Sequence, residues 1–267
     1  MRSHYRVATA AVLLIGLSPA GGSVLSAQRA TDAFEWRGTV LQGSAIEIKG
    51  VNGEVTAEPS SGPEVEVTAV KTGRRSDPSG VRIEVVTHGD GVTVCAVYPD
   101  VDGRPNECRP GDGGRMSTRD NDVNVAFTVK VPAGVRFVGR TVNGDIKTRG
   151  ALAGPVSLRT VNGDAEFSTT GHGDATTVNG SVRAALGSAL WQGTLSFETV
   201  NGSITVDLPA GLSTDVRAST VNGDISTDFP LTVTGRVSRR SLTGTIGGGG
   251  RILELDTVNG SVQLNRR

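Results

Sequence analysis

Few residues in this chain have the types and spacing that chemistry requires. Cys95 and Cys108 are the only cysteines. In an exported chain an even pair most simply forms a disulfide, since a metal or redox site needs closer spacing or more ligands. Closing so short a loop stabilises by about 3 kcal/mol in the chain-entropy account. His88 precedes Gly89-Asp90-Gly91, and His172 sits in Gly171-His172-Gly173. Both read as exposed turn residues, and neither belongs to a His-x-x-x-His or Gly-x-Ser-x-Gly pattern. Asp100-Val101-Asp102-Gly103 has the opening of a calcium loop, but it lacks the third Asp and the Glu that an EF-hand supplies. Asp100 and Asp102 are therefore the sole calcium candidate, set against a solvated loop of mixed charge. Lysines are few (Lys49, Lys71, Lys130 and Lys147). Gly247 to Gly250 is followed by no Lys-Ser/Thr, which excludes a phosphate loop. That run is expected to replace a strand, beside a small basic patch of Arg236, Arg239 and Arg240. No catalytic residue, metal site or cofactor is predicted.

Any site must be carried by repeats. Thr-Val-Asn-Gly starts at Thr141, Thr160, Thr177, Thr199, Thr220 and Thr257. Ser241-Leu242-Thr243-Gly244 is a degenerate copy, and Val51-Asn52-Gly53 an early outlier. The Asn column is Asn143, Asn162, Asn179, Asn201, Asn222 and Asn259, with Thr243 standing in once. After each Gly comes Asp145, Asp164, Ser181, Ser203, Asp224 or Ser261. A carboxylate ladder for metal or catalysis would not carry Ser in half its rungs. Asp and Ser share the ability to accept a hydrogen bond from backbone N–H groups in turns. A period near twenty residues marks a repeat architecture.

Each unit reads Thr (out), Val (in), Asn, Gly, Asp or Ser, then an inward apolar residue. Asn-Gly would suit the hairpins of an antiparallel meander. A β-solenoid is preferred, because it alone gives a reason to repeat the same residue at the same turn. Identical positions then stack about 4.8 Å apart, and stacked Asn side chains can bond along the column. The fold class is thus all-β, a single-stranded β-helix-like solenoid of Thr-Val-Asn-Gly repeats over residues 132–267. The last coil, Asp256 to Leu264, would be its exposed end. Residues 34–131 show longer alternating strands, clearest from Val123 to Val131, and form a strand-rich N-terminal part continuous with the solenoid. Gly89-Asp90-Gly91 reads as a hairpin turn there. The polar stretch from Tyr98 to Asp122 has no strand pattern, and a loop this long in a compact domain is functional or disordered.

Residues 1–27 carry Arg2 and Arg6, an apolar run from Val7 to Leu17, and small residues at two cleavage points, after Ala20 or Ala27. That is the layout of a secretory signal peptide. The apolar run is too short to span a bilayer, so the mature chain is expected without a transmembrane segment. Whole-chain composition fits: 37 Gly in 267 residues is about twice average usage. Basic and acidic residues balance at 27 each. Loss of the leader leaves 25 against 27, a charge of −2. No basic excess points to nucleic acid.

The phrases Pro132-Ala133-Gly134-Val135 and Thr141-Val142-Asn143-Gly144-Asp145-Ile146, in a secreted Val/Thr-rich chain, resemble the bacterial putative-adhesin family of β-strand-repeat proteins, a domain of unknown function. So does Asp90-Gly91-Val92-Thr93-Val94-Cys95-Ala96-Val97-Tyr98-Pro99. The resemblance spans residues 34–267. It implies a β-solenoid, export to the cell envelope and no catalytic residues. The expected function is a non-enzymatic, adhesin-like structural or binding module of the periplasm, cell envelope or exterior. Its partner would be an envelope or extracellular polymer or protein. The alternatives are a β-helix enzyme acting on polysaccharide and an envelope protein that self-associates through its solenoid ends.

Overall fold

The structure, a computed structural model, describes residues 30–233 and 238–267. The leader at 1–27 and Arg236 lie outside the described residues. In chain order the strands are β1 (Ala30–Gly38), β2 (Ala45–Lys49), β3 (Val55–Pro59), β4 (Val65–Gly73), β5 (Arg82–His88), β6 (Gly91–Val97) and β7 (Asn124–Val131). Then come β8 (Arg136–Arg140), β9 (Ile146–Leu152), β10 (Val156–Arg159), β11 (Ala165–Thr169), β12 (Gly173–Thr176), β13 (Val182–Leu186) and β14 (Thr194–Glu198). The last are β15 (Ile204–Leu208), β16 (Thr214–Asn222), β17 (Ile225–Thr227), β18 (Thr232–Val233), β19 (Ser241–Ile246), β20 (Ile252–Asn259) and β21 (Val262–Arg266).

Two large sheets result. The first runs β1-β4-β7-β3-β9-β11-β13-β15-β21-β17, the second β18-β19-β16-β20-β14-β12-β10-β8-β2-β6-β5. One strand from each sheet, joined by a turn or loop, makes a rung. The rungs stack in the order β6/β7, β2/β3, β8/β9, β10/β11, β12/β13, β14/β15, β20/β21 and β16/β17. Every contact between neighbouring rungs is parallel. Antiparallel strands close both ends: β5, β4 and β1 at one, β19 and β18 at the other. The Gly89-Asp90-Gly91 hairpin joins β5 to β6.

The core is the narrow space between the sheets. Alternate residues of each strand point into it, among them Ile46, Ile48, Phe137, Leu158, Val182, Ile204, Leu253 and Leu264. Phe167 and Phe197 stack there at 6.4 Å.

Chain order and spatial order part company at the C-terminal end. The last rung, β20/β21, is threaded between β14/β15 and β16/β17. Asp256 to Leu264 is therefore interior rather than an exposed end. The degenerate copy is not a turn: Ser241 to Gly244 lies in β19, antiparallel to β16, with Leu242 and Ile246 buried. Thr243 has no amide with which to continue an Asn column, and its neighbours alternate as strand residues do. Gly247 to Gly250 does not replace a strand. It turns the chain from β19 into β20, with Gly247 and Gly249 in the left-handed region at φ 59° and 70°, where Cβ is disfavoured.

The repeat also faces the other way. Thr141, Thr160, Thr177, Thr199, Thr220 and Thr257 are buried, whereas Val161, Val178, Val200, Val221 and Val258 are exposed. Each of these hydroxyls donates to a Gly carbonyl of the neighbouring rung at 2.8–3.2 Å. A valine there would leave that acceptor unpaired, which costs more than an exposed methyl pair.

Candidate binding cleft and turn ladder

The Asn column is brought together along one edge of the stack. Its members bridge in the order Asn52, Asn143, Asn162, Asn179, Asn201, Asn259, Asn222. Each Asn from Asn143 onward donates its Nδ2 to the Oδ1 of the preceding one, at 2.7–2.8 Å. Asn52, the apparent outlier, opens the ladder; its signal was the bare Asn-Gly pair after an apolar residue. The Gly of each turn is required because the rungs approach too closely for a side chain. A Cβ on Gly144, Gly163, Gly180, Gly202, Gly223 or Gly260 would overlap a Gly carbonyl of the neighbouring rung. The next column works as an acceptor row. Asp145 and Asp164 accept from the backbone N–H of Asp164 and Ser181 at 2.9 and 2.7 Å. Ser181, Ser203 and Ser261 accept in the same way at 3.2–3.4 Å.

The less regular chemistry lies on the outer face of the second sheet. Parallel register sets Glu47, Val138, Ser157 and Asp174 side by side, and Lys49 beside Arg140 and Arg159. The loop after β6 folds over part of this face. Cys95 and Cys108 form a disulfide, Cα to Cα 5.7 Å, at the root of that loop. Lys49 is 7% exposed, and its ammonium donates to the carbonyls of Arg109, Gly111 and Gly113 at 2.9, 2.9 and 2.7 Å. Burial lowers its pKa, and the nearby Glu47 carboxylate acts against that shift. Glu47 accepts from Thr93 Oγ1 and from Gly111 N–H, both at 2.9 Å, and meets Arg140 Nε at 2.8 Å. Arg140 also pairs with Asp112 of the loop. That hydrogen bond, then the charges of Arg140 and Arg159, hold the Asp112 carboxyl below its ordinary range. Farther along the loop, Asn106 bonds Tyr98 O, Pro99 O and Ser117 O, and the Tyr98 hydroxyl donates to Val123 O at 2.7 Å. Burial pushes the Tyr98 phenol up to about 12.

Beside the docked loop lies an open cleft of about 500 Å³ whose lining includes Glu47, His88, Asp90, Arg136, His172 and Asp174. The two histidines, read from sequence as exposed turn residues, are half-buried here. His88 ends β5, with Nε2 3.0 Å from Thr93 Oγ1. Ser157 donates to Asp174 at 2.8 Å. Burial raises the Asp174 pKa, opposed by that hydrogen bond. The calcium candidate is not assembled: Asp102 is paired with Arg119 at 2.6 Å. Among the described residues no group of three or more His, Cys, Asp or Glu is placed to hold a metal ion. Sequence reasoning missed Glu47, Lys49, Asp112, Arg136 and Arg140. Alternation in Ala45-Ile46-Glu47-Ile48-Lys49 does mark Glu47 and Lys49 as outward, but nothing local says that a distant loop covers them.

Two mostly parallel sheets, nearly helix-free and stitched along one edge by an Asn ladder, define the class: an all-β repeat protein. Residues 115–265 match the family described as Toastrack DUF4097, and the chain belongs to that family. No curated protein matches it in sequence. Among solved structures it is similar to a putative cell adhesion protein from Clostridium sporogenes, at 10% identity and TM-score 0.45, covering 88% of this chain and 100% of that one. A putative adhesin from Bacteroides fragilis follows at 12% identity and TM-score 0.37, covering 88% and 97%. One from Parabacteroides distasonis has 11% identity and TM-score 0.28, with the same coverage. No helix among the described residues is long and apolar enough to cross a membrane.

Proposed function

We propose that this chain is an exported, non-enzymatic, adhesin-like binding module. It is a β-solenoid of Thr-Val-Asn-Gly rungs that presents the cleft beside the docked loop to an envelope or extracellular polymer or protein. Export rests on the leader-like residues 1–27. The observation that carries binding over catalysis is how the polar groups of the cleft are spent. The Ser157 hydroxyl is given to the Asp174 carboxylate, which has no other side-chain hydrogen-bond partner among the described residues, and Glu47 is held by three partners. A serine nucleophile is activated by a base that a third group orients, and among the described residues no third side chain is hydrogen-bonded to this Ser–Asp pair. Arg136 and His172 line the cleft without a side-chain hydrogen bond among the described residues, which suits recognition of a polar ligand.

The test compares the chain with its Arg136→Glu, His172→Ala double variant for retention on envelope polysaccharide and peptidoglycan fractions. Retention lost in the variant, at an unchanged melting temperature, supports the cleft. Equal retention removes it from the proposal. Release of cleaved product by the unaltered chain would favour the polysaccharide enzyme instead.

Self-association through an end remains a second reading, moved to the other end of the stack. There β1 is a nine-residue strand at the edge of its sheet, paired only with β4 among the described residues. An unpaired edge is a template for another strand. Sedimentation that finds monomer alone at high concentration would end that reading.

A further inference from the structure

Seven Asn-Gly pairs in one chain are a chemical liability as well as a scaffold. In this dipeptide the Gly backbone nitrogen can attack the Asn side-chain carbonyl carbon, because no Cβ hinders it. The Cγ–Nδ2 bond breaks, and ammonia leaves carrying the proton that the backbone nitrogen loses. Water then opens the cyclic imide to aspartate or isoaspartate. The stack controls both ends of this reaction. In six of the pairs the nucleophile is tied: the N–H groups of Gly53, Gly144, Gly163, Gly180, Gly202 and Gly260 each donate to an Asn carbonyl of the neighbouring rung at 2.8–3.0 Å. The leaving amide is tied as well, from Asn143 onward, through the side-chain ladder.

The exception is the terminal rung. Beyond β16/β17 there is no further Asn turn. The segment that lies there supplies carbonyls to Thr220 and Ile225, from Arg240 and Arg239. Gly223 N–H has no hydrogen-bond partner among the described residues. We infer that Asn222 is the chain's site of spontaneous deamidation, and that stacking protects the other Asn-Gly pairs by occupying the Gly nitrogen.

The chain contains its own control. Asn143 and Asn222 sit in the same hexapeptide, Thr-Val-Asn-Gly-Asp-Ile. Both side chains are exposed, and both donate Nδ2 to a neighbouring Asn at 2.8 Å. They differ in the Gly nitrogen, bonded to Asn162 O at 2.9 Å in the case of Gly144, and in the side-chain oxygen, which at Asn143 accepts from Asn162 Nδ2 at 2.8 Å. Asn52 provides the opposite control. It also ends the ladder, yet Gly53 N–H is bonded to Asn143 O at 2.8 Å. Being terminal is therefore separable from having a Gly nitrogen that is unbonded among the described residues.

The experiment ages the unaltered full chain at mildly alkaline pH and maps aspartate and isoaspartate by peptide mass spectrometry, once folded and once in urea. A hydrogen bond that must break before attack is worth about 1 kcal/mol, so the folded chain is expected to convert Asn222 roughly fivefold faster than Asn143. In urea the two rates converge. Equal rates at Asn143 and Asn222 in the folded chain would overturn the inference, as would Asn52 keeping pace with Asn222. A lead for Asn222 that persists in urea would overturn it too, because the cause would then lie in the sequence rather than the stack.

Discussion

The turn ladder and the loop-covered face of the second sheet handle polar groups in opposite ways. Along the ladder each rung repeats one solution. Thr pairs a carbonyl, Gly lets the backbones touch, and Asn bonds to its own copy above and below. On the covered face every partner is different: Lys49 is capped by three carbonyls of one loop, and Glu47 joins a threonine, a loop N–H and an arginine. Repetition gives a surface that is the same at every rung and so marks no particular place. The unique cluster breaks that symmetry, and the cleft forms beside it. The regular pairing thus runs along one edge of the stack, and the irregular pairing lies on the outer face of its second sheet.

The division can be broken most severely at a ladder glycine. Gly163→Ala puts a methyl into the carbonyl of Gly144, a backbone atom that cannot turn aside. A loss of more than about 3 kcal/mol is expected, in the range of overpacking and strain combined. Gly111→Ala in the docked loop sits at φ 62° with open space around it. It should cost only about 1 kcal/mol, the penalty of the left-handed backbone. Urea denaturation of both variants measures the contrast, and similar midpoints would show that the ladder tolerates separation of its rungs. On the covered face the matching test is Lys49→Met. It keeps the stem but leaves the three loop carbonyls without their donor, while Glu47 keeps Arg140. About 2–3 kcal/mol is expected, concentrated in faster hydrogen exchange over residues 109–113 rather than in the ladder.

The same contrast explains what could be read from the chain. The Asn column was legible because six copies of one tetrapeptide announce a stack, and stacking fixes what each copy touches. The facing of Thr and Val was not, since both are β-branched and either fits an alternating strand; the choice was made by a carbonyl on another rung. Threading of β20/β21 between earlier rungs was hidden for a similar reason. Thr243 occupies the place of an Asn in the count, and only the missing amide shows that the place is false. For Lys49 and Glu47 the partners lie some sixty residues away, in a loop without periodicity.

A smaller effect sharpens the comparison through pH. The phenol of Tyr98 is buried at the root of the loop, and its pKa rises from 10.0 to about 12. A group whose pKa is raised on folding stabilises fully below its unfolded value, and that contribution is lost as pH rises through the folded one. Stability carried by Tyr98 should therefore persist to about pH 10 and fall away toward 12. In Tyr98→Phe that alkaline component should be absent, while stability near neutrality drops by about 1–2 kcal/mol for the lost bond to Val123 O. A pH series of denaturation curves with an unchanged alkaline limb would remove Tyr98 from the account.

The smallest effect is expected within the ladder itself, at an exposed rung. Asn179→Ala deletes two side-chain hydrogen bonds, one given to Asn162 and one received from Asn201, each 2.8 Å. Both orphaned groups can turn to water, so the net loss should be about 1 kcal/mol or less. Asn179→Asp is the more revealing change. It keeps the size and the acceptor for Asn201 but replaces a donor by a carboxylate oxygen facing the Asn162 oxygen. Two acceptors then meet where a donor and an acceptor did, and aspartate should destabilise more than alanine. If alanine proves the worse substitution in matched urea titrations, the column holds by packing of its side chains rather than by the direction of its amides. Its resemblance to a hydrogen-bonded ladder would then be geometric only.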